Sequence, residues 1–468
     1  MKNKQFTRPI ITGLAIGGVI AAFVWLNQPL DLPHFKPLDA VAQVESKDRQ
    51  QKPSPQDLPD VNAAAFKGQG KLAFIWKGLL YHLDGSTGEV KQLTDTGMAA
   101  EPTWSYDGEW LAFLQITDQN MMTGPLWLVR QDGSQAHQVQ GLPGTVRSGK
   151  FSWSPTANRL SVSTKDGLWL VPTEGEPQQF VQTPKQLVRT PGEYPSFSWS
   201  PDGKSLAYNV TLQAEEPWNM DDLLFTLAVD GGKPVKHLHT PDAGIMLAGW
   251  HNDGKGLLYW LIPVHSGSLA ADGVGLWSLL LSEAEPKSLT SGLTYKGWQS
   301  ISPQGKLLTV AGRGRIAWSE KSLTTVDIKT GKVQNLPNPS GSVALDPQFS
   351  PDGKRIAYVA ARNLGSDVWG FKKSGDLSAW IASRTLYIAN ADGSNARAIP
   401  EAGKGIIQPI WSKDGSHILY VKDNVLWQMK ADGGQPEKIF APVVSGQEDH
   451  FGFYGFTSYE SVLSWYRG

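Results

Sequence analysis

The sequence predicts an all-β protein, a β-propeller of four-stranded antiparallel blades that follows one N-terminal transmembrane helix. Three observations predict it: a turn motif that recurs along most of the chain, a supply of 49 glycines, 31 prolines and 19 tryptophans, and one uncharged apolar run near the N-terminus. Such a composition supplies turns and large flat side chains, whereas a helical protein leans on Ala, Leu, Glu and Lys.

The first element is the apolar run from Pro9 to Leu26, which carries no charge and is about long enough to cross a bilayer core as a helix. Lys2, Lys4 and Arg8 precede it and the next basic residue is Lys36, so the positive-inside bias leaves residues 1–8 in the cytoplasm and everything after Leu26 outside. A cleaved signal peptide is the competing reading. The small-x-small site Ala40-Val41-Ala42 lies well beyond the apolar run, which favours a retained signal anchor and a single-pass protein of the cell membrane. With no cysteine, the chain has no disulfides, no thiolate metal site, no cysteine nucleophile and no lipidated-cysteine anchor.

Residues 27–60 are interrupted by Pro29, Pro33, Pro37, Pro53, Pro55 and Pro59 and read as a semi-rigid linker. The propeller is expected over 61–468. Its anchors are Trp104-Ser-Tyr-Asp-Gly108, Trp153-Ser-Pro155, Trp199-Ser-Pro-Asp-Gly203, Trp250-His-Asn-Asp-Gly254, Ile301-Ser-Pro-Gln-Gly305, Phe349-Ser-Pro-Asp-Gly353 and Trp411-Ser-Lys-Asp-Gly415, with a weaker copy at Phe66-Lys-Gly-Gln-Gly70. Their spacing of roughly 40 to 60 residues suits propeller blades.

Each motif matches a type I turn, with Ser at its first position, Pro setting φ at its second and Gly at its fourth. A β-rich run follows, such as Leu206-Ala-Tyr208 or Ile356-Ala-Tyr358, then a third strand such as Leu126-Trp-Leu-Val129. Pairs such as Asp132-Gly133, Asp392-Gly393 and Asp432-Gly433 then turn the chain into a fourth strand. The recurrent tryptophans are expected to fill the wedges between neighbouring sheets. Eight blades are favoured if the tail Phe456 to Trp465 completes the sheet begun by Lys71 to Thr94; seven is the alternative.

Phe197-Ser-Trp-Ser-Pro-Asp-Gly-Lys-Ser-Leu-Ala-Tyr208 and Pro347-Gln-Phe-Ser-Pro-Asp-Gly-Lys-Arg-Ile-Ala-Tyr358 closely resemble the TolB-type propeller repeat. The resemblance covers roughly residues 61 to 468 and implies the fold. Such propellers serve as periplasmic scaffolds, as gating domains of prolyl-oligopeptidase-like peptidases and as sensors, so function does not follow from it. The additional α/β domain that precedes the propeller in TolB itself is not matched here.

Net charge is −1, with 43 basic against 44 acidic residues, which gives no reason to expect nucleic acid as a partner. The sequence has no Gly-x-Ser-x-Gly elbow, no His-Glu-x-x-His motif and no dinucleotide-binding glycine fingerprint, and Gly203-Lys204-Ser205 belongs to a repeat turn. Isolated histidines such as His82 and His251 read as ordinary strand or turn residues. No cofactor and no metal are expected. An acidic cluster of Glu215, Glu216, Asp221 and Asp222, with Trp218 beside it, leaves cation binding open.

Both recurrent turns fall on one face of the ring, so the connections between second and third strands fall on the other. Residues 211–222, 261–274, 312–320 and 360–384 depart most from the minimal repeat, and elaborated loops on a rigid scaffold commonly form binding surfaces. The candidate surface is Trp218, Asp221, Asp222, Arg313, Arg315, Trp369, Phe371, Lys372, Lys373 and Trp380. Its bland alternative is that the aromatics fasten the loop to the propeller and the charges solvate it. The expectation is a binding or scaffold module for an extracytoplasmic or membrane protein or peptide, without enzymatic activity. The alternative is a hydrolase or lactonase-like enzyme with a metal in the central channel.

Overall fold

The Ser-Pro-Asp-Gly segments form the turns that their composition dictates. Gly203 takes φ +67° and its N–H donates to Ser200 O at 2.9 Å, closing the turn. A Cβ there would also lie 2.0 Å from Thr156 Oγ1 of the neighbouring sheet, so glycine is required twice over. Ser200 Oγ donates to Asp202 Oδ1 at 2.6 Å and receives Ser205 N–H at 2.9 Å, and Asp202 Oδ1 receives Lys204 N–H at 3.0 Å. The same three bonds recur at Ser105 and Asp107, at Ser350 and Asp352 and at Ser412 and Asp414. A carboxylate that accepts several donors is favoured in its charged form, and Asp414, bonded first by the Ser412 hydroxyl, is held down to about 2.

Each turn joins the inner strand of a four-stranded antiparallel meander to its second strand. The anchor residue pairs with an apolar residue of that second strand every time: Trp104 with Leu111, Trp153 with Leu160, Trp199 with Leu206, Trp250 with Leu257, Ile301 with Leu307, Phe349 with Ile356 and Trp411 with Ile418. Constant register follows from the period-2 alternation, because a one-residue slip would turn each aromatic to the wrong face. We name each meander by its anchor.

The anchors do more than fill wedges. Trp153 Nε1 donates to Thr103 O at 3.0 Å, Trp199 Nε1 to Ser152 O at 3.2 Å, Trp250 Nε1 to Ser198 O at 2.9 Å and Trp411 Nε1 to Gln348 O at 3.2 Å. Each acceptor is the residue just before the anchor of the preceding meander, so the indoles stitch successive inner strands together. The stitching continues across the chain ends. Leu463–Tyr466 is the inner strand paired with Lys71–Trp76, in the order Leu463–Tyr466, Lys71–Trp76, Leu79–Asp84, Val90–Gln92. Trp104 Nε1 donates to Ser464 O at 3.1 Å, and Arg467 donates to Trp411 O at 3.1 Å. This succession of linked meanders is that of a β-propeller.

Trp465, which pairs with Leu72, is therefore the anchor of the sheet that begins at Lys71. The weak copy at Phe66 has a different role: it lies in a run of turns, fully buried, with its ring 6.4 Å from that of Trp465.

This computed structural model describes residues 59–119, 122–182, 195–212, 221–241, 243–263, 273–283, 285–312, 316–365, 374–443 and 455–468. Residues 1–8, the expected transmembrane anchor and nearly all of the linker lie outside them. No helix among the described residues is long and apolar enough to cross a membrane. The end of the linker is ordered, with Asp60–Val61 forming a fifth, outermost strand on the Trp411 meander.

Candidate binding face

The two ends of the strands differ. At one end lie the anchor turns and the Asp-Gly turns, short and bonded within themselves. At the other lie the connections from second to third strand, which range from the pairs Lys77-Gly78, Lys165-Asp166 and Asp423-Asn424 to residues 363–384. The longer ones are 116–125 in the Trp104 meander and 213–220, 264–273, 312–321 and 363–384 in the consecutive meanders from Trp199 to Phe349.

The connection 363–384 shows how such a loop is held. It ends in the helix Ser374–Ile381, which brings Trp380 against Trp318 of the preceding meander, ring centroids 5.9 Å apart at 73°. Trp380 is wholly buried and donates its indole N–H to Arg362 O at 3.0 Å. The sequence expectation placed it on a binding surface; the structure corrects this, because a side chain with no exposure touches no ligand. Its role is the bland alternative, fastening the loop to the propeller.

Arg384, at the end of the same connection, is 1% exposed and passes 5.4 Å over the Trp380 ring. Its guanidinium donates to Ile406 O at 2.8 Å and pairs with the buried carboxylate of Asp346. Asp346 in turn accepts Trp298 Nε1–H at 2.8 Å and Gln408 N–H at 3.2 Å. One carboxylate thus ties the inner strands of two meanders, the helix-bearing connection and the turn at Lys296–Trp298 into one buried network.

Sequence reasoning missed this residue and its counterparts. Glu101, Asp346 and Gln408 have φ of +55°, +50° and +51°, and each sits where the inner strand bulges. Left-handed backbone is costly for a residue with a Cβ and is kept only where surrounding contacts over-determine it. Each side chain supplies such a contact: Glu101 accepts Gly149 N–H at 2.8 Å, and Gln408 accepts Tyr459 N–H at 3.0 Å. The available signal was a polar residue followed by proline shortly before the anchor, in Glu101-Pro102, Asp346-Pro347 and Gln408-Pro409.

Asp222 is also corrected. It is 1% exposed and accepts Asn209 Nδ2–H at 2.9 Å and Ile245 N–H at 2.7 Å, so it joins the Trp199 and Trp250 meanders and presents no charge to a partner. Its neighbour Asp221 is half-buried and lies 2.5 Å from His239 Nε2 at the start of the third strand. Trp218, Arg313, Arg315, Trp369, Phe371, Lys372 and Lys373 lie outside the described residues.

No group of three or more His, Asp or Glu side chains is arranged for a metal ion among the described residues. A small cavity of about 180 Å³ is lined by His82, Asp84, Glu89, Lys91, Gln131 and Asp132, at the Asp-Gly turn end. There His82 Nδ1 lies 3.1 Å from Gln131 O, an acceptor, which puts the ring proton on Nδ1 and leaves Nε2 a bare acceptor. Burial is the largest influence on this ring and lowers its pKa. Lys321, 1% exposed beneath the long-connection face, is lowered to about 8 by burial and donates to Ser319 O at 3.0 Å.

No family model matches the chain. A segment is 31% identical to an uncharacterized peptidase, YuxL, of Bacillus subtilis, covering 16% of this chain and 16% of that protein. Another is 27% identical to the Tol-Pal system protein TolB of Thioalkalivibrio sulfidiphilus, over 20% of this chain and 24% of that protein. The chain thus spans less than a quarter of the length of either curated relative. Among solved structures, the oligogalacturonate lyase of Vibrio parahaemolyticus superposes at TM-score 0.47 with 14% identity, over 80% of this chain and 98% of that one. The β-propeller domain of the Trilobed protease of Pyrococcus furiosus gives 0.41 with 13% identity, over 68% and 88%. TolB of Acinetobacter baumannii gives 0.34 with 14% identity, over 78% and 76%.

The segment similar to TolB supports a TolB-like β-propeller. The comparisons also correct the expectation that the chain lacks enzymatic activity. A peptidase stands among its sequence relatives, so the repeat pattern on which the expectation rested does not separate binding propellers from catalytic ones.

Proposed function

We propose that this chain is a membrane-tethered, extracytoplasmic β-propeller of eight blades that recognises a protein or peptide on its long-connection face. Eight blades are supported by the meander at every anchor and by the C-terminal strand, which completes the Trp465 sheet. The tether is supported by the uncharged run Pro9 to Leu26 and its flanking charges.

The observation that carries the binding reading is the asymmetry of the two faces. On the turn face the polar groups bond one another and the geometry repeats. On the opposite face the connections of the Trp104 meander and of the four meanders from Trp199 to Phe349 are long and individually different, and a buried network, Asp346 with Arg384 and Trp380 with Trp318, fastens the last of them to the propeller. Variable loops on a fixed scaffold are the usual form of a recognition surface. Trp369, Phe371, Lys372 and Lys373 supply aromatic and cationic side chains of the kind enriched at binding hot spots.

The test is a crosslinked pull-down from native membranes of the full chain and of the variant Trp369→Ala, Phe371→Ala, Lys372→Ala, Lys373→Ala, which leaves Trp380 and Arg384 in place. Recovery of a specific protein with the first and its loss with the second is expected. Equal recovery with both overturns the assignment of this surface.

A second reading, an enzyme acting on a peptide, is favoured by the peptidase relative. Purified full-length protein incubated with a mixed peptide library, with products read by mass spectrometry, tests it: cleavage that persists through purification supports the reading, and an unchanged library rejects it.

A further inference from the structure

We propose that the cavity lined by His82 and Gln131, between the Trp465 and Trp104 meanders, is a binding site for a small organic cation that carries several N–H donors, of the guanidinium class. It lies at the turn end of the strands and rests on nothing in the long-connection face.

His82 sits on the third strand of its sheet, between Ala73 and Lys91, and is 5% exposed. Its Nδ1–H is taken by Gln131 O of the next meander at 3.1 Å, and its ring stands edge-on to Trp104, centroids 5.2 Å apart at 71°. Nε2 therefore offers only a lone pair, and no described residue donates to it. Trp104 is engaged elsewhere, since its N–H goes to Ser464 O at 3.1 Å.

The Gln131 side chain repeats the pattern. Its Nε2 donates to both oxygens of Glu109 at 3.0 Å, which fixes the way the amide points, because the flipped amide would set oxygen against carboxylate. Its Oε1 is buried and receives no hydrogen bond from a described residue. Lys71 is turned away to Glu109 Oε1 at 3.3 Å and Gly108 O at 2.8 Å. Two side chains that line one cavity thus hold buried acceptors without donors, and native chains keep few such groups.

Charge around the same space points the same way. The carboxylates of Asp84, Glu89 and Asp132 face the single ammonium of Lys91, and His82 is uncharged at neutral pH because burial lowers its pKa. The turn bonds of the two aspartates fall on Oδ1: Ser86 N–H at 2.6 Å and Thr87 N–H at 3.2 Å on Asp84, Ser134 N–H at 2.9 Å and Ser134 Oγ at 2.6 Å on Asp132. Oδ2 of each stands outside that bonding. Glu89 and Asp132 are exposed and form the rim, while His82 is the buried floor.

The excess of carboxylates favours a cation, and the bare acceptors favour one with N–H groups. A metal ion does not suit the site, since no three His, Asp or Glu side chains among the described residues converge as ligands. The acceptors surround a space of about 180 Å³ rather than a point. That is the share of roughly six water molecules in the liquid, room for a group of several heavy atoms. A guanidinium, whose donors are spread around a rigid plane, spans such a set.

The test is isothermal titration calorimetry of the solubilised full chain with methylguanidinium, with tetramethylammonium, which has the charge but no N–H, and with acetyl-arginine amide. Methylguanidinium is expected to bind once per chain, about tenfold tighter than tetramethylammonium, because only it makes hydrogen bonds. His82→Phe, which keeps a ring and removes the acceptor, and the rim pair Glu89→Gln with Asp132→Asn are each expected to weaken it about tenfold. Tighter binding of acetyl-arginine amide assigns the site to an arginine side chain of a peptide, and equal or weaker binding to a free guanidinium compound; either supports the proposal. Equal binding of methylguanidinium and tetramethylammonium overturns it, as does binding unchanged in the rim pair or in a folded His82→Phe chain. Should His82→Phe fail to fold, the rim pair decides. No binding of methylguanidinium also overturns the proposal and leaves the two acceptors to water.

Discussion

His82 carries a ring whose Nδ1 faces a carbonyl and whose Nε2 has no hydrogen-bond partner among the described residues, and His251 is similarly buried with Ser278 Oγ 3.0 Å from Nε2. Burial lowers both pKa values. A histidine whose folded pKa lies below its free value takes up its proton more readily when unfolded. Its contribution is therefore complete above about pH 6.5 and is lost as pH falls below that toward the folded value. The melting temperature is expected to be flat above pH 7 and to decline toward pH 5, with a shallower decline in His82→Gln; a melting temperature that rises over that interval contradicts this. The turn carboxylates act lower: Asp414, held at about 2, contributes above about pH 4 and loses its contribution as pH falls toward 2. At Asp346 the stakes are larger. Removing one partner of a buried ion pair strands the other, so Arg384→Met and Asp346→Asn are each expected to cost about 3–5 kcal/mol in denaturant unfolding, and the double variant much less than their sum. Additive losses would mean that the two do not act as a pair.

At the scale of the element, what was legible in the sequence was local. Ser-Pro-Asp-Gly encodes its own turn because hydroxyl, carboxylate and backbone lie within a few residues, and the apolar triplet after it encodes a strand by alternation. What was not legible depended on distant partners. Phe66 matched the anchor pattern, yet Trp465 occupies that place, because the pairing of Leu72 with Trp465 joins opposite ends of the chain and no local pattern encodes it. The strained residues Glu101, Asp346 and Gln408 escaped notice for the same reason, since their justification is a backbone group on the next meander. The indole ladder is testable directly. Trp153→Phe removes the bond to Thr103 O and is expected to cost about 1 kcal/mol, and Trp153→Ala about 3–5 kcal/mol through the cavity it leaves. A Trp153→Phe variant as stable as the parent would show that the N–H bond carries nothing beyond packing. Deleting residues 463–468 removes an inner strand and three cross-sheet bonds, those of Trp104, Tyr466 and Arg467. The truncated chain is expected to unfold at lower denaturant and to expose the sheet of Lys71 to Gln92 to proteolysis first, whereas an unchanged midpoint would contradict ring closure at that strand.

At the largest scale the propeller is a succession of stitched meanders whose turn end repeats and whose second-to-third-strand connections differ. The sequence carried the existence of that asymmetry, since departures from a repeat are visible without coordinates, and it carried less of the candidate site. Trp380 and Asp222 looked like surface residues because a tryptophan or an aspartate in an insertion gives no sign of its burial; the helix Ser374–Ile381 and the Asn209 amide decide it. The proposed function stands or falls with recognition by the long-connection face. Its most direct test is the affinity of the solubilised full-length protein for the protein recovered with it, measured for the Trp369, Phe371, Lys372, Lys373 alanine variant and for a turn-face variant, Lys255→Ala with Lys413→Ala. At least about a tenfold loss, roughly 1.4 kcal/mol, is expected in the first and an unchanged affinity in the second. Loss in the turn-face variant with the first unchanged would contradict it.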